Sequence, residues 1–339
     1  MPVARLLSPA RLAGAVVGLL LVAGIVLYLL PSNDYLLLPD RGHPVAPLVQ
    51  VQGGHDPTGP GGIYFVDVFE RRARMLESLF PFIRRGSTLV PAKLIVPPGV
   101  TDNDVRRADE RAMRISQRVA AAVALHRLGY HVVARPDGVI VTAVELGSHA
   151  VGKLRPADVI DAVDGKRTPT IGRLRAILGR VTPGEVVTLR IRRGDSRTAV
   201  AVQTVPDPLD RTRALVGFTP DQAAEIRLPI SVRIDVGNVV GPSAGLAFAL
   251  EVMEELGHDV DHGYRVAATG QMELDGTVAP IGGAKQKIFG ARMAGAQVFL
   301  VPAGDNARIA RQYAHGMRVI PVHSFPQALH ALANLPRKG

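Results

Sequence analysis

Residues 276–287 have the sequence Gly-Thr-Val-Ala-Pro-Ile-Gly-Gly-Ala-Lys-Gln-Lys. The paired glycines, Gly282 and Gly283, predict that a strand ends here and that a helix begins. Residues two apart lie about 200° apart around a helix, so one of Lys285 and Lys287 should face the protein interior. Burial disfavours the charged form of an amine, and an inward lysine therefore gives up its proton readily. A Lys-x-Lys pair on its own is more commonly a solvated helix turn.

A second motif at residues 241–245 consists of Gly241, Pro242, Ser243, Ala244 and Gly245. A mostly apolar helix is predicted to begin at Ser243, where a serine commonly serves only as a cap. Here, however, the small neighbours leave room around the hydroxyl group for a substrate backbone. The helix N-terminus also directs N–H groups and positive potential to this place, a geometry that stabilises an oxyanion. A neutral lysine amine could take the serine proton, as in the Ser-Lys variant of the catalytic triad.

The two motifs and the intervening Ala268-Thr269-Gly270 have an order and spacing that resemble the proteolytic domain of Lon-type peptidases. The resemblance implies that Ser243 is the nucleophile and that Lys287, the second lysine, is the general base. It also implies that the Thr269 hydroxyl group orients the lysine amine. We expect the small residues of both motifs to support this dyad, and Lys287 to be buried and largely neutral near pH 7.

The resemblance to the Lon-type domain is clearest from about residue 206 to 335. A fainter match lies earlier in the chain, at Gly61–Phe65 and Met113–Gln117. Members of the family often have Asp and Glu at the positions that Val240 and Gln271 occupy here. These departures concern the surroundings of the dyad and leave both of its residues in place.

Residues 130–205 differ in character, with short predicted strands and one short helix. The segments Lys153–Ile160 and Val163–Gly165 resemble a PDZ domain of the protease-associated kind, although Ala157 stands where glycine is usual. Such domains bind extended peptides by adding them to a sheet edge. The alternative is a small β-rich domain without a ligand. Because Lon-like segments flank this module, we expect it to be inserted into the peptidase domain.

Leu12–Leu30 is a run of 19 residues without charge, which is long enough to span a bilayer as a helix. Arg5 and Arg11 precede the run, whereas Asp34 and Asp40 follow it. This charge bias predicts a cytoplasmic N-terminus and an extracytoplasmic remainder. The alternative is a cleaved signal peptide, which usually has a shorter apolar stretch and an A-x-A-like site that is missing after this run.

The predicted fold is therefore an α/β (α+β) Lon-type proteolytic domain with an inserted β-rich PDZ-like domain, preceded by one transmembrane helix. Within the first part, Thr101 and Asp104 predict a capped helix that ends near Gly129. The predicted boundaries are a cytoplasmic N-terminus at 1–11, a transmembrane anchor at 12–30, a surface linker, first strand and N-terminal part of the Lon-like domain at 31–129, the PDZ-like domain at 130–205, and the Lon-like domain with the dyad at 206–339.

Composition limits the possible partners of the 339-residue chain. The absence of cysteine excludes disulfides, a thiol nucleophile and thiolate metal sites. The net charge is +10, yet basic runs interleaved with aromatics are missing and aromatics make up 4%, so we expect no nucleic-acid partner. The sequence contains no G-x-x-x-x-G-K-[ST] phosphate loop, so we expect no ATP. We also expect no cofactor and no metal. The expected partners are the membrane and substrates that are peptides or unfolded proteins. The sequence leaves the oligomeric state open.

Two other functions fit parts of the sequence. The glycines on either side of Ser243 also match the nucleophile elbow of α/β-hydrolases, for which Asp305 and His323 would complete a triad in the required chain order. An esterase of this type would leave the lysine motif unexplained. The second alternative is a non-catalytic membrane scaffold whose PDZ-like domain only binds peptides.

Overall fold

A computed structural model of the protein describes residues 9–57, 59–80, 84–96, 101–145, 147–207 and 210–337. Most of the predicted cytoplasmic segment, residues 1–8, lies outside the described part. The described helices are α1 (Pro9–Leu29), α2 (Met75–Leu79), α3 (Ala92–Ile95), α4 (Asp102–Arg127), α5 (Ile171–Leu178), α6 (Gly245–Glu255), α7 (Ala284–Met293), α8 (Asp305–Gln312) and α9 (Phe325–Ala333).

The described strands form three larger sheets and three two-stranded ones, β12-β13, β15-β3 and β17-β18. In chain order they are β1 (Pro31–Pro39), β2 (His43–Pro44), β3 (Val49–Val51), β4 (Gly62–Phe65), β5 (Val68–Arg74), β6 (Thr88–Pro91), β7 (Val133–Val144), β8 (Val159–Val163), β9 (Lys166–Arg167), β10 (Val186–Arg193), β11 (Ser196–Gln203), β12 (Val205–Pro206), β13 (Ala214–Leu215), β14 (Phe218–Arg227), β15 (Val232–Ile234), β16 (Arg265–Ala268), β17 (Gln271–Met272), β18 (Val278–Ala279), β19 (Val298–Pro302) and β20 (Arg318–Val322).

The larger unit is built around a sheet in the order β2-β4-β16-β19-β20. Its last four strands are parallel, and β2 pairs antiparallel with β4 at the edge. Along β19, Val298 and Leu300 lie in one apolar core, whereas Phe299 and Val301 lie in another. This alternation is what a strand buried on both faces requires. Helices cover the sheet accordingly, with α4, α6 and α9 on one face and α7 and α8 on the other, which confirms the predicted α/β architecture.

The predicted module forms a second, antiparallel sheet with its own core. The strand order is β11-β10-β8-β7-β14, with β9 beside β8, and α5 packs its buried residues into this core. Strand β14 pairs with β7 over ten residue pairs although it follows residue 205, the predicted end of the module. Val216 and Phe218 also belong to the module's core. The sheet extends past the predicted boundary because these apolar side chains complete the core and β14 supplies the hydrogen-bond partners of β7.

The module is joined to the larger unit by two short connections. Helix α4 is followed by β7 after only five residues, 128–132. At the other connection, β14 itself contributes to both units, since its Ile226 lies in the core of the larger unit. The first connection is a short loop and the second is part of a strand, so the module is not tethered by a long linker.

The N-terminal part consists of α1 and a small sheet in the order β5-β1-β6. The segment Leu12–Leu29 of α1 is long and apolar enough to cross a membrane, and none of it is buried within the protein. A signal sequence would meet the same criteria. Strand β1 is the first strand expected in the 31–60 region, and its Leu36 is almost fully buried. The residues after it include β2 and β3, and Val45 and Val49 are buried there, so much of this region is packed into the protein and is not a surface linker.

Candidate active site

Ser243 lies in a short 3-10 turn, Pro242–Ala244, that leads directly into α6. The α-helix thus begins two residues later than the sequence predicts. Gly241 precedes the turn with φ of 90°, a conformation that favours glycine. Its N–H donates a hydrogen bond to the carbonyl oxygen of Asp109 at 3.1 Å. The serine is therefore presented by a sharp bend whose backbone is fastened to α4.

Helix α4 supports this bend at a second point. Ser116 Oγ donates a hydrogen bond to the carbonyl oxygen of Pro242 at 2.8 Å. A Cβ atom on Gly245 would lie only 2.9 Å from the same Ser116 oxygen, so glycine at this position permits the close approach of α6 and α4. The cap predicted for α4 is present, because Thr101 and Asp104 hydrogen-bond to each other's backbone N–H groups.

Lys287 reaches the serine from the first turn of α7. Gly283 precedes this helix with φ of 68°, and a Cβ atom there would lie 2.6 Å from a methyl group of Val68. The predicted strand-to-helix transition thus depends on glycine at position 283. A Cβ placed on Gly282 would meet no atom of the described residues within 4 Å. Lys287 is 3% exposed, and its Nζ donates a hydrogen bond to Ser243 Oγ.

Thr269 completes the group of side chains around the amine. It is fully buried at the end of β16, and its Oγ1 accepts a hydrogen bond from Lys287 Nζ at 3.2 Å. The same hydroxyl group donates to the carbonyl oxygen of Ser243 at 3.0 Å. Thr269 therefore connects the lysine amine to the backbone of the serine, and the structure brings together the three residues that the sequence singled out for chemistry.

The neighbouring Lys285 points elsewhere. Its Nζ donates to the carbonyl oxygen of Ser87 at 2.8 Å and lies 5.7 Å from the centre of the Tyr313 ring. The two lysines thus face different surroundings, as the helical spacing predicts, and Lys285 lies at the periphery. This difference provides a matched pair of lysines for experiments.

Burial lowers the pKa of Lys287 to about 8, whereas the nearby carboxylates of Asp67 and Glu70 raise it and so offset part of the effect. At pH 7 a group with this pKa is neutral in about one-tenth of the molecules. The lowered pKa agrees in direction with the predicted loss of the proton, and a largely neutral amine near pH 7 stays a prediction. The sequence did not predict that Asp67 and Glu70 affect the pKa of Lys287. This effect arises only because the fold places β5 and the turn before it beside α7.

The residues nominated for an α/β-hydrolase triad are not close partners of the serine. The side chain of Asp305 is 84% exposed and pairs with Arg308. His323 is exposed on the turn before α9. The hydrogen bond between Ser243 and Lys287 favours the lysine as the partner of the serine.

Near the dyad, Asp40, His43 and Asp67 could together ligate a metal ion, since their ligand atoms lie within 4.8 Å of one another.

We expect Asp67→Asn to lower the pKa of Lys287 further, because it removes a negative charge that favours the ammonium form. The expected decrease is about half a unit or more. The sequence contains only six lysines, so a ¹³C NMR titration of labelled lysine side chains can follow each one. Asp305→Asn, which changes an exposed carboxylate, should leave the titration unchanged. A Lys287 pKa near 10.5 in the wild type would contradict this description of the site.

Comparisons with known proteins agree with these features. A family profile described as the Lon protease (S16) C-terminal proteolytic domain matches residues 220–334, and a PDZ domain profile matches residues 126–204. Both domain assignments made from the sequence are confirmed.

Among curated proteins, Lon protease 2 of Bacillus subtilis is 32% identical over 141 residues, which cover 41% of this chain and 24% of that protein. The Lon protease of Azorhizobium caulinodans is 29% identical over 240 residues, which cover 66% of this chain and 27% of that protein. The chain thus spans about a quarter of the length of these relatives. The crystal structure of the PDZ domain of an SdrC-like protein from Listeria monocytogenes matches 25% of this chain and 87% of its own length at 21% identity, with a TM-score of 0.23, which is too low to support a conclusion. From the two profiles and the Lon relatives, the chain carries the proteolytic domain of the Lon (S16) serine peptidases together with a PDZ domain.

Proposed function

We propose that the protein is a serine endopeptidase that cleaves peptides or flexible protein segments with a Ser243–Lys287 dyad. The observation that carries this proposal is the contact between the buried lysine amine and the serine hydroxyl group. A lysine with a pKa of about 8 is a suitable general base near neutral pH, because a useful fraction is neutral and still basic enough to take a proton.

In the proposed reaction, neutral Lys287 accepts the hydroxyl proton of Ser243 while Oγ forms a bond to the carbonyl carbon of the scissile peptide. The resulting ammonium then gives the proton to the departing amine as the C–N bond breaks, which leaves an ester on Ser243. Water attacks this ester with the amine again acting as base, and the acid product and free serine are released. Thr269 holds the amine in place throughout through its hydroxyl group.

We propose that the reaction does not use ATP. The sequence contains no G-x-x-x-x-G-K-[ST] phosphate loop, so this chain carries no motif for an ATP-driven unfolding step. Substrates are then short, flexible or already unfolded, because a peptide bond must be extended to reach a nucleophile.

We propose that the PDZ module captures substrate segments for the dyad. A groove of about 280 Å³ lies between the two units, lined by residues of α4 and β7 and by Met272 and Pro242, of which Pro242 immediately precedes Ser243. Sheet-edge addition by the module would provide binding energy remote from the reacting bond. The position of the groove supports a path from the module to Ser243.

We also propose that α1 is a retained membrane anchor with an extracytoplasmic catalytic region. Its apolar length and the arginines before it support this orientation. The alternatives are a signal sequence, an esterase that uses Ser243 with a histidine, and a scaffold that does not catalyse. Labelling of Ser243 by a serine-reactive probe would exclude the scaffold.

The two lysines of α7 test the dyad directly. We expect Lys287→Arg to abolish peptide cleavage, with a loss on the order of 10⁴–10⁶ in rate, because a guanidinium group cannot accept a proton. Lys285→Arg should cost less than about tenfold, since its charge and its peripheral position are retained. The measurement is cleavage of a fluorogenic peptide by variants that circular dichroism shows to be folded.

In the same assay the wild-type rate should rise about tenfold per pH unit below pH 8 and level off above it, because only the neutral amine is competent. A folded Lys287→Arg variant with most of its activity, or an inactive Lys285→Arg variant beside an active Lys287→Arg one, would show that the dyad is assigned incorrectly.

The capture function can be separated from the chemistry by a partial deletion. We expect a variant with residues 150–204 replaced by a short linker, which keeps β7 and β14, to lose more activity on a natural protein target than on a small generic peptide. Equal losses on both substrates would indicate that the module only stabilises the peptidase fold.

The membrane topology of the protein can be tested on intact cells that have no outer membrane. We expect an external protease to digest residues 31–339 of the protein in intact cells, and the purified protein to retain residues 12–30 by mass spectrometry. Protection of the 31–339 region would overturn the orientation, and a mature N-terminus after residue 30 would indicate a signal sequence.

A further inference from the structure

A second chemically distinct pocket lies at the far end of α6 from Ser243. It has a volume of about 300 Å³ and is lined by residues 57, 59–64 and by the end of α6 with the loop after it. Three acidic side chains of this pocket, Glu254, Asp259 and Asp261, have ligand atoms within 4.8 Å of one another. This spacing allows all three to contact one bound cation.

Glu251 adds an independent observation. It is one turn earlier on α6, lines the same pocket and is only 1% exposed. Among the residues that the structure describes, its Oε1 atom has no hydrogen-bond partner. A buried carboxylate oxygen without a partner is costly, and here it lines the space in which the other three carboxylates meet.

The carboxylates are held in place by backbone N–H groups. Glu254 Oε1 accepts from the N–H groups of Val260 and Asp261, both at 2.8 Å. Asp261 Oδ1 accepts from the N–H of Gly263 at 2.6 Å. The loop after α6 thus fixes two of the ligands before any ion arrives, which reduces the entropy lost on binding.

Four carboxyl side chains line this one pocket in a protein whose net charge is +10. The acids also lie at the C-terminal end of α6, whose dipole is itself negative. Arg337, whose side chain is 72% exposed, lies 3.6 Å from Asp259 and so partly compensates this carboxylate.

We propose that this pocket binds one Ca²⁺ ion through Glu254, Asp259 and Asp261, with the buried carboxylate of Glu251 beside them. Calcium prefers oxygen ligands, takes 6–8 of them at about 2.3–2.6 Å and tolerates irregular geometry, so water or backbone oxygens would complete the shell. The ion would connect residues 57 and 59–62 with the end of α6 and the loop at 257–263. It would fix the C-terminal end of the helix whose N-terminal end presents Ser243.

Calcium titration of the full chain in detergent, after removal of metals with EDTA, tests this site. Isothermal titration calorimetry should show one Ca²⁺ per chain with a dissociation constant of roughly 10⁻⁵–10⁻³ M. Glu251→Gln should weaken binding at least tenfold. Glu110→Gln, which changes a partly exposed carboxylate on α4, should bind like the wild type.

Terbium luminescence provides a second readout, because Tyr64 lines the pocket and the chain has no tryptophan. Calcium should displace the terbium signal in the wild type, and the signal should be lost in Glu251→Gln. If Glu251→Gln does not fold, Arg337→Gln replaces it as a variant and should tighten Ca²⁺ binding by removing the competing cation.

Three outcomes would overturn the proposal: no binding up to 10 mM Ca²⁺ (on the order of the weakest protein sites), unchanged affinity in folded Glu251→Gln, or equal affinity for Mg²⁺. The experiment measures binding and not peptide cleavage, so its result does not depend on the proposed peptidase function.

Discussion

The candidate site depends on one constraint, which is that the amine of Lys287 is buried away from water. An ammonium group in the protein interior is unfavourable unless it finds partners. Here the hydroxyl groups of Ser243 and Thr269 supply hydrogen bonds, and Asp67 and Glu70 supply negative charge nearby. The resulting pKa of about 8 reflects a balance between these effects, and this balance suits the lysine both to burial and to the proposed role of general base.

The placement of the serine depends on the same packing. The lysine reaches Ser243 only because α7 begins with a glycine against Val68, and because α4 holds the bend before α6 by two hydrogen bonds to its backbone. These elements come from three distant parts of the chain. The dyad is therefore a product of the whole larger unit, although each of its residues belongs to a short motif.

Features whose signals lie within a few residues were predictable from the sequence. The reciprocal cap at Thr101 and Asp104 is one, and the opposite orientation of the two lysines on α7 is another, because both follow from helix geometry. Contacts between distant segments were not predictable. The bond from Ser116 to Pro242 joins residues 126 apart, and the pairing of β14 with β7 depends on which exposed strand edge is available after folding. A hydrophobic pattern shows which face of an element is buried, but not which other segment covers it.

The short connections between the module and the larger unit affect how a captured segment would meet the nucleophile. With a flexible linker, the effective concentration of a bound segment is set by linker length and falls gradually as the linker grows. Here α4 and β14 hold the two units at a set distance. A segment anchored on the module would then meet Ser243 only if the chain between the anchor point and the scissile bond is long enough to span that distance. The arrangement would act as a molecular ruler, in which the spacing between recognition and cleavage positions, and not only their sequence, selects the bond that is cut.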